Sequence, residues 1–222
     1  MNFHRPRLNI VTCATVAYAG EIETAQHDYE KKKMIKTLTL ATLTLAATVR
    51  LALAAEPTAF ELIKEGNEYV GKDAKDKVVQ IRSEKSIGSL TPNVWYIVYY
   101  DVDATFKATE VKFGGGKKLK VTRPMRMLEP VTGDDKKLDR NKFRIDSDKA
   151  IEIASGEPIL KPVTLKATKL TLQKHDEGPV WKVELWAAKL KNPNDNTKIG
   201  EVLVSVEDGK IVKSDLHIES VD

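Results

Sequence analysis

Three aromatic side chains are the residues best placed to hold something. They are Tyr96 and Tyr100 in "VWYIVYY", and Trp186 in "GPVWKVELW", whose other tryptophan, Trp181, reads as core. Rings of this kind wall binding sites and stack on cations. Groups that do chemistry are scarce by comparison. The single cysteine is Cys13, so the chain beyond residue 54 has no thiol nucleophile, no disulfide and no thiolate metal site. That part holds two histidines, His175 and His217, and nothing in the sequence brings them together. No His-x-His or H-E-x-x-H spacing occurs, so no metal is expected. "FGGGKKLKV" lacks the spacing of a phosphate-binding P-loop and leads into a strand, where no helix N-terminus awaits an anion. "NPNDNTKIGE" is rich in oxygen ligands, but the twelfth position from Asn192 is Leu203, where a calcium loop needs an acid. It reads as a long hairpin turn. Lys112, Lys117, Lys118, Lys120, Arg123 and Arg126 concentrate positive charge near Tyr96 and Tyr100. In an exported protein such a patch suits an anionic glycan or an acidic protein surface; as plain architecture it guards a strand edge.

The N-terminal region speaks to the compartment. Lys31, Lys32, Lys33 and Lys36 precede an uncharged apolar run, Leu38 to Val49, and Ala52-Leu53-Ala54 supplies a small-x-small cleavage site. These are the three parts of a secretory signal. The run is shorter than the about 20 residues of a membrane helix, so membrane attachment is expected only if the segment stays uncleaved. Met34 is a natural opening for such a signal. The expected organisation is an upstream extension over 1–33 and a signal peptide over 34–54. Residues 1–54 carry seven of the 36 lysines and arginines and four of the 32 acids. The remainder of the chain is close to neutral, and its global charge gives no reason to expect nucleic acid as a partner. A periplasmic or secreted location is expected.

The elements that must position the aromatics form a repeat. The first unit spans 55–123 and the second 146–222, with a charge-rich linker over 124–145. In "PTAFELIKEGNEYVG", Thr58 and Glu61 fit a capping box, and Phe60, Ile63, Asn67 and Val70 keep helical spacing. In "DSDKAIEIASGEP", Asp146 or Ser147 caps, Ala150, Ile151 and Ala154 face inward, and Gly156 with Pro158 ends the helix. Alternating runs come after each helix, closed by a glycine turn in the first unit and Asp208-Gly209 in the second. The expected fold is α+β, with two tandem units, each a short helix packed on an antiparallel β-meander. Alternation puts Trp95, Ile97 and Tyr99 on one face, and Tyr96, Val98 and Tyr100 on the other. It likewise puts Trp181, Val183 and Leu185 inside, with Lys182, Glu184 and Trp186 outside. Leu216 and Ile218 point inward on the last strand. The outer face of the first unit reads as too apolar for open water, so it needs a cover: the other unit, a partner or a ligand.

The phrase "DSDKAIEIASGEPILKP…GPVWKVELW…GEVLVSVEDGKIVKS" resembles the PepSY-type domain family. The likeness rests on the Ala150, Ile151, Ala154 helix, on Trp181-Lys182-Val183, and on the closing hairpin with Val204, Val206, Gly209 and Ile211. It covers about 70 residues of the second unit and extends faintly to the first. A cystatin-like helix-on-sheet fold is the near neighbour. The resemblance implies an extracytoplasmic, non-catalytic domain associated with peptidases as an inhibitory or regulatory module. It carries over no catalytic residues.

The expected protein is therefore not an enzyme and has no cofactor. It is an exported binding protein for a protein or peptide partner, such as an exported peptidase. Tyr96, Tyr100 and Trp186 are its candidate contact residues. A structural or assembly factor of the envelope and a small-ligand binder are the alternatives.

Overall fold

The computed structural model describes residues 56–125, 137–176 and 178–222. The upstream extension and the signal peptide lie outside the described residues. Among the described residues no helix is long and apolar enough to cross a membrane.

Helix α1 spans Ala59–Gly66 and buries Ala59, Leu62, Ile63 and Gly66, an i, i+3, i+4, i+7 stripe. The Glu61 carboxylate accepts from the Thr58 N–H at 3.0 Å, the back-bond of the expected capping box. The helix stops four residues short of Val70. Gly66 lies under the ring of Tyr99, and a Cβ there would overlap the phenol oxygen. That phenol donates to the Ile63 carbonyl at 3.0 Å and is buried, which pushes its pKa up. Asn67 is spent outside the helix on a pair of bonds with Asp76. Helix α2 spans Ser147–Ser155, capped by Asp146, with Ala150, Ile151 and Ala154 buried as the spacing predicts.

Among the described residues eight strands accompany these helices: β1 Val78–Ser83, β2 Val94–Tyr100, β3 Ala108–Gly114, β4 Lys117–Thr122, β5 Leu165–His175, β6 Gly178–Ala188, β7 Asn196–Ser205 and β8 Ile211–Leu216. The α+β class is as expected. The strands, however, make one continuous antiparallel sheet in the order β4-β3-β2-β1-β5-β6-β7-β8. Two meanders meet where β1 pairs with β5, at Ile81↔Leu172 and Arg82↔Thr171. Residues 56–222 form one compact unit with one main core, so the sheet does not divide into two separately packed halves.

Both helices lie on one face of this sheet. Trp95, Ile97, Tyr99, Trp181, Val183 and Leu185 are buried there, as alternation predicts, together with Val202, Val204 and Val206. Leu216 is only half-buried, because β8 is an edge; Ile218 has left the strand for a 3-10 turn but still packs on the core. The helices meet at their starts. The Ser147 hydroxyl accepts from the Ala59 N–H at 3.1 Å, and the Asp146 carboxylate accepts from the Phe60 N–H at 3.2 Å. Free N–H groups of α1 are thus satisfied by the residues that begin α2. Phe60 also stacks on Phe143 at 4.8 Å and on Trp181 at 6.1 Å, and Trp95 meets Trp181 edge-on at 6.4 Å.

Part of the stretch read as a linker is built into this core. Residues 126–136 lie outside the described residues. Leu138 is buried and its N–H donates to the Val78 carbonyl at 2.9 Å. The carbonyl of Ile145 accepts the Trp181 indole N–H, also at 2.9 Å. The charged residues around them hide an inward set too short to show periodicity.

Candidate functional site: the helix-free face and its edges

Among the described residues the opposite face of the sheet carries no helix, and strand register sets its chemistry. One row crosses all eight strands: Lys120, Lys112, Tyr96, Arg82, Thr171, Lys182, Leu203 and Lys213. Five of the eight are basic. A neighbouring row on β5–β8 is mostly acidic, with Lys169, Glu184, Glu201 and Asp215. On β5–β8 the adjacent rows of opposite sign bring unlike charges within reach of one another.

Tyr96 sits inside this lattice. The Arg82 guanidinium lies 4.1 Å from its ring centre and the Lys112 ammonium 4.9 Å. Its hydroxyl donates to Glu84, which also accepts from Lys112 at 2.9 Å. The Tyr96 hydrogen bond, then the Lys112 ammonium, hold the Glu84 carboxyl below the ordinary range. Arg82 pairs with Glu110 at 2.7 Å. On the other half Glu184 is ringed by Lys198 at 3.0 Å and by Lys169 and Lys182, each at 3.7 Å. Burial pushes the Glu184 carboxyl up, but the Lys198 hydrogen bond and the lysine charges outweigh it, and the net shift is downward.

This arrangement bears on the expectation that the outer face of residues 94–100 needs a cover from the other unit, a partner or a ligand. Val98 is fully buried with Val79 and Ala108, and Tyr100 packs against them. Val79 reaches that face because β1 bulges between Val78 and Gln80. Tyr96 is shielded by the stems and charges of its neighbours. Over Tyr96, at least, the cover comes from Arg82 and Lys112 of the chain itself.

Register also separates the three candidate aromatics. Tyr96 shares a row with Lys182, and β2 and β6 run in opposite directions. Tyr100 therefore lies about 13 Å from that row one way, and Trp186 about 13 Å the other way, at about 3.3 Å per residue. Trp186 is half-exposed beneath the Lys85 ammonium, 4.8 Å from its ring centre. These residues do not form one site. Nor do the histidines: His175 ends β5 opposite Gly178, while His217 comes just after β8 beside Ile199, near the Trp186 end. His217 lies between Asp215 at 3.1 Å and Glu219 at 3.3 Å, all exposed. Among the described residues no three His, Cys, Asp or Glu side chains gather as a metal site would need. The Asn192–Asp195 stretch is a hairpin turn whose polar groups bond one another.

Two features escape sequence reasoning. Arg82 and Glu84 alternate outward in "QIRSEK", but only register shows that they flank Tyr96. Asp101, just after β2, is a buried carboxylate. It accepts from the Thr109 hydroxyl at 2.5 Å and from the Asp103 N–H at 3.0 Å, with Arg123 at 3.7 Å. It lies in a shallow hollow of about 400 Å³ between the Tyr69–Gly71 turn and the end of β4. Comparison with family models, with curated proteins and with solved structures returns no match.

Proposed function

We propose that this is an exported, non-catalytic binding protein, built from two tandem PepSY-like units and acting on a protein or peptide partner. The observation that supports the reading best is the one-sided cladding of the sheet. Both helices cover one face, the other face carries no described helix and presents charged side chains and Tyr96, and both edge strands, β4 and β8, are exposed. A sheet displayed in this way recognises chains through its face or by accepting a further strand. The secretory pattern before residue 55 supports export, and the PepSY resemblance favours an exported peptidase as the partner.

Site-specific photo-cross-linking in the producing cells tests the reading. A photoreactive residue at Tyr96, at Trp186 or on β4 should give a discrete adduct with an extracytoplasmic protein, identified by mass spectrometry. An exported peptidase in the adduct, whose hydrolysis rate changes on adding the purified protein, is the expected result. Adducts confined to cytoplasmic proteins would overturn it.

A further inference from the structure

We propose that β4 and the turn after α1 form a groove for an extended acidic peptide, which joins the sheet as a ninth strand. The proposal rests on the binding reading above and names the surface and the chemistry of its occupant. β4 pairs with β3 alone, so its outer backbone donors and acceptors have no strand partner among the described residues. Every residue from Lys117 to Val121 is exposed, including Leu119 at 57% and Val121 at 40%. The other edge looks similar in exposure and differs in charge. On and beside β8, Lys210 pairs with Asp208 at 2.7 Å, Lys213 lies 3.9 Å from Asp215, and His217 is held between two carboxylates. On β4, Lys117, Lys118 and Lys120 have no carboxylate in ion-pair range among the described residues. Among the described residues the uncompensated charge therefore sits on one edge only.

Lysines on an edge strand ordinarily keep other strands away, because pairing would strip water from them. An incoming strand that carries aspartate or glutamate opposite them turns that cost into ion pairs. The same residues then reject neutral and basic strands and accept acidic ones. A second copy of this chain is a poor occupant, since two β4 strands would set lysine against lysine. The hollow at the end of β4 fits the same occupant. Val121, Thr122 and Arg123 form one wall and Tyr69 stands in the other, with the Lys118 ammonium 5.1 Å from its ring centre. Arg123 touches Asp101 at a single 3.7 Å contact and its side chain is 61% exposed, so its fork is open to a second carboxylate. About 400 Å³ is room for one side chain of an added strand.

Fluorescence anisotropy with a fluorescein-labelled eight-residue peptide alternating aspartate and valine tests this on the purified protein. Saturable binding that weakens with salt is expected. Lys120→Glu with Arg123→Glu should weaken it about ten-fold or more, with thermal unfolding by circular dichroism showing that the variant stays folded. N-methylation of alternate peptide amides should abolish binding in one phase and spare it in the other, since only one set of N–H groups faces β4. No saturable binding, or equal effects of the two methylation phases, would overturn strand addition at this edge. So would binding that responds to Lys213→Glu and not to the β4 variant, or that is competed by self-association. Cross-links from Tyr96 or Trp186 to an exported partner, in the absence of peptide binding, would keep the binding reading and remove this edge from it.

Discussion

Glu184 shows how single residues on the helix-free face contribute through their neighbours. Its carboxyl is held below the ordinary range by Lys198, Lys169 and Lys182 against the opposing effect of burial. A carboxyl lowered in the folded state stabilises the fold above its ordinary pKa, here 4.5, and that contribution is lost as pH falls through the lowered value. Glu184→Gln should cost about 0.5–1 kcal/mol at pH 7. In urea unfolding the deficit should shrink as pH falls below 4.5; a deficit that grows on acidification would contradict the assignment. The individual roles of Trp181 and Trp186 are legible in the sequence, because an odd spacing in a regular strand forces opposite faces. The Arg82–Tyr96–Lys112 stack is not, because cross-strand neighbours depend on a register that the bulge at Val78/Gln80 shifts.

At the scale of elements, glycines set boundaries that pattern alone misplaces. The sequence reads Asn192 to Glu201 as a long hairpin turn, yet β7 begins at Asn196 and passes through Gly200. Gly200 has φ +132°, and a Cβ there would run into the carbonyl oxygen of Asp215 on β8. Gly200→Ala should therefore cost about 2–4 kcal/mol, by steric exclusion of the last strand as well as backbone strain. Chemical denaturation measures the loss, and hydrogen exchange should place it at β7 and β8. A neutral substitution would show that β8 docks elsewhere. Helix α1 departs from its pattern for a related reason. Phe60, Ile63, Asn67 and Val70 keep the period, but contact between Gly66 and Tyr99 closes the helix before the last two. In α2 the inward residues Ala150, Ile151 and Ala154 match the spacing.

At the scale of the whole molecule, the junction decides cooperativity. β1 and β5 share a short ladder, and side chains extend it. The Ser83 hydroxyl accepts from the Leu170 N–H at 2.8 Å, the Ser86 hydroxyl accepts from the Thr168 N–H at 2.9 Å, and the Thr168 hydroxyl donates to the Leu90 carbonyl at 2.6 Å. With Phe60, Trp95 and Trp181 packed across the junction, residues 56–222 should unfold in one transition. Tryptophan fluorescence and far-ultraviolet circular dichroism should give coincident curves; two resolved steps would mean that the halves are energetically separate. The α+β class and the alternating faces are legible in local pattern. The pairing of β1 with β5 is not, since it joins residues on the order of 90 positions apart and leaves no mark on the period of either strand.

The shared helix start also imposes an order in time. α1 comes early in the described chain, yet its first backbone donors wait for Asp146 and Ser147, separated from them by 86 to 88 positions. The inner edge of β1 waits still longer, for β5. As the chain emerges from the ribosome, its first half holds an unfinished helix cap and an unpaired strand until most of the second half has appeared. Such a half-made sheet invites pairing with the wrong neighbour. A helper that holds nascent chains should therefore raise the yield of this protein most when synthesis is paused between residues 123 and 165.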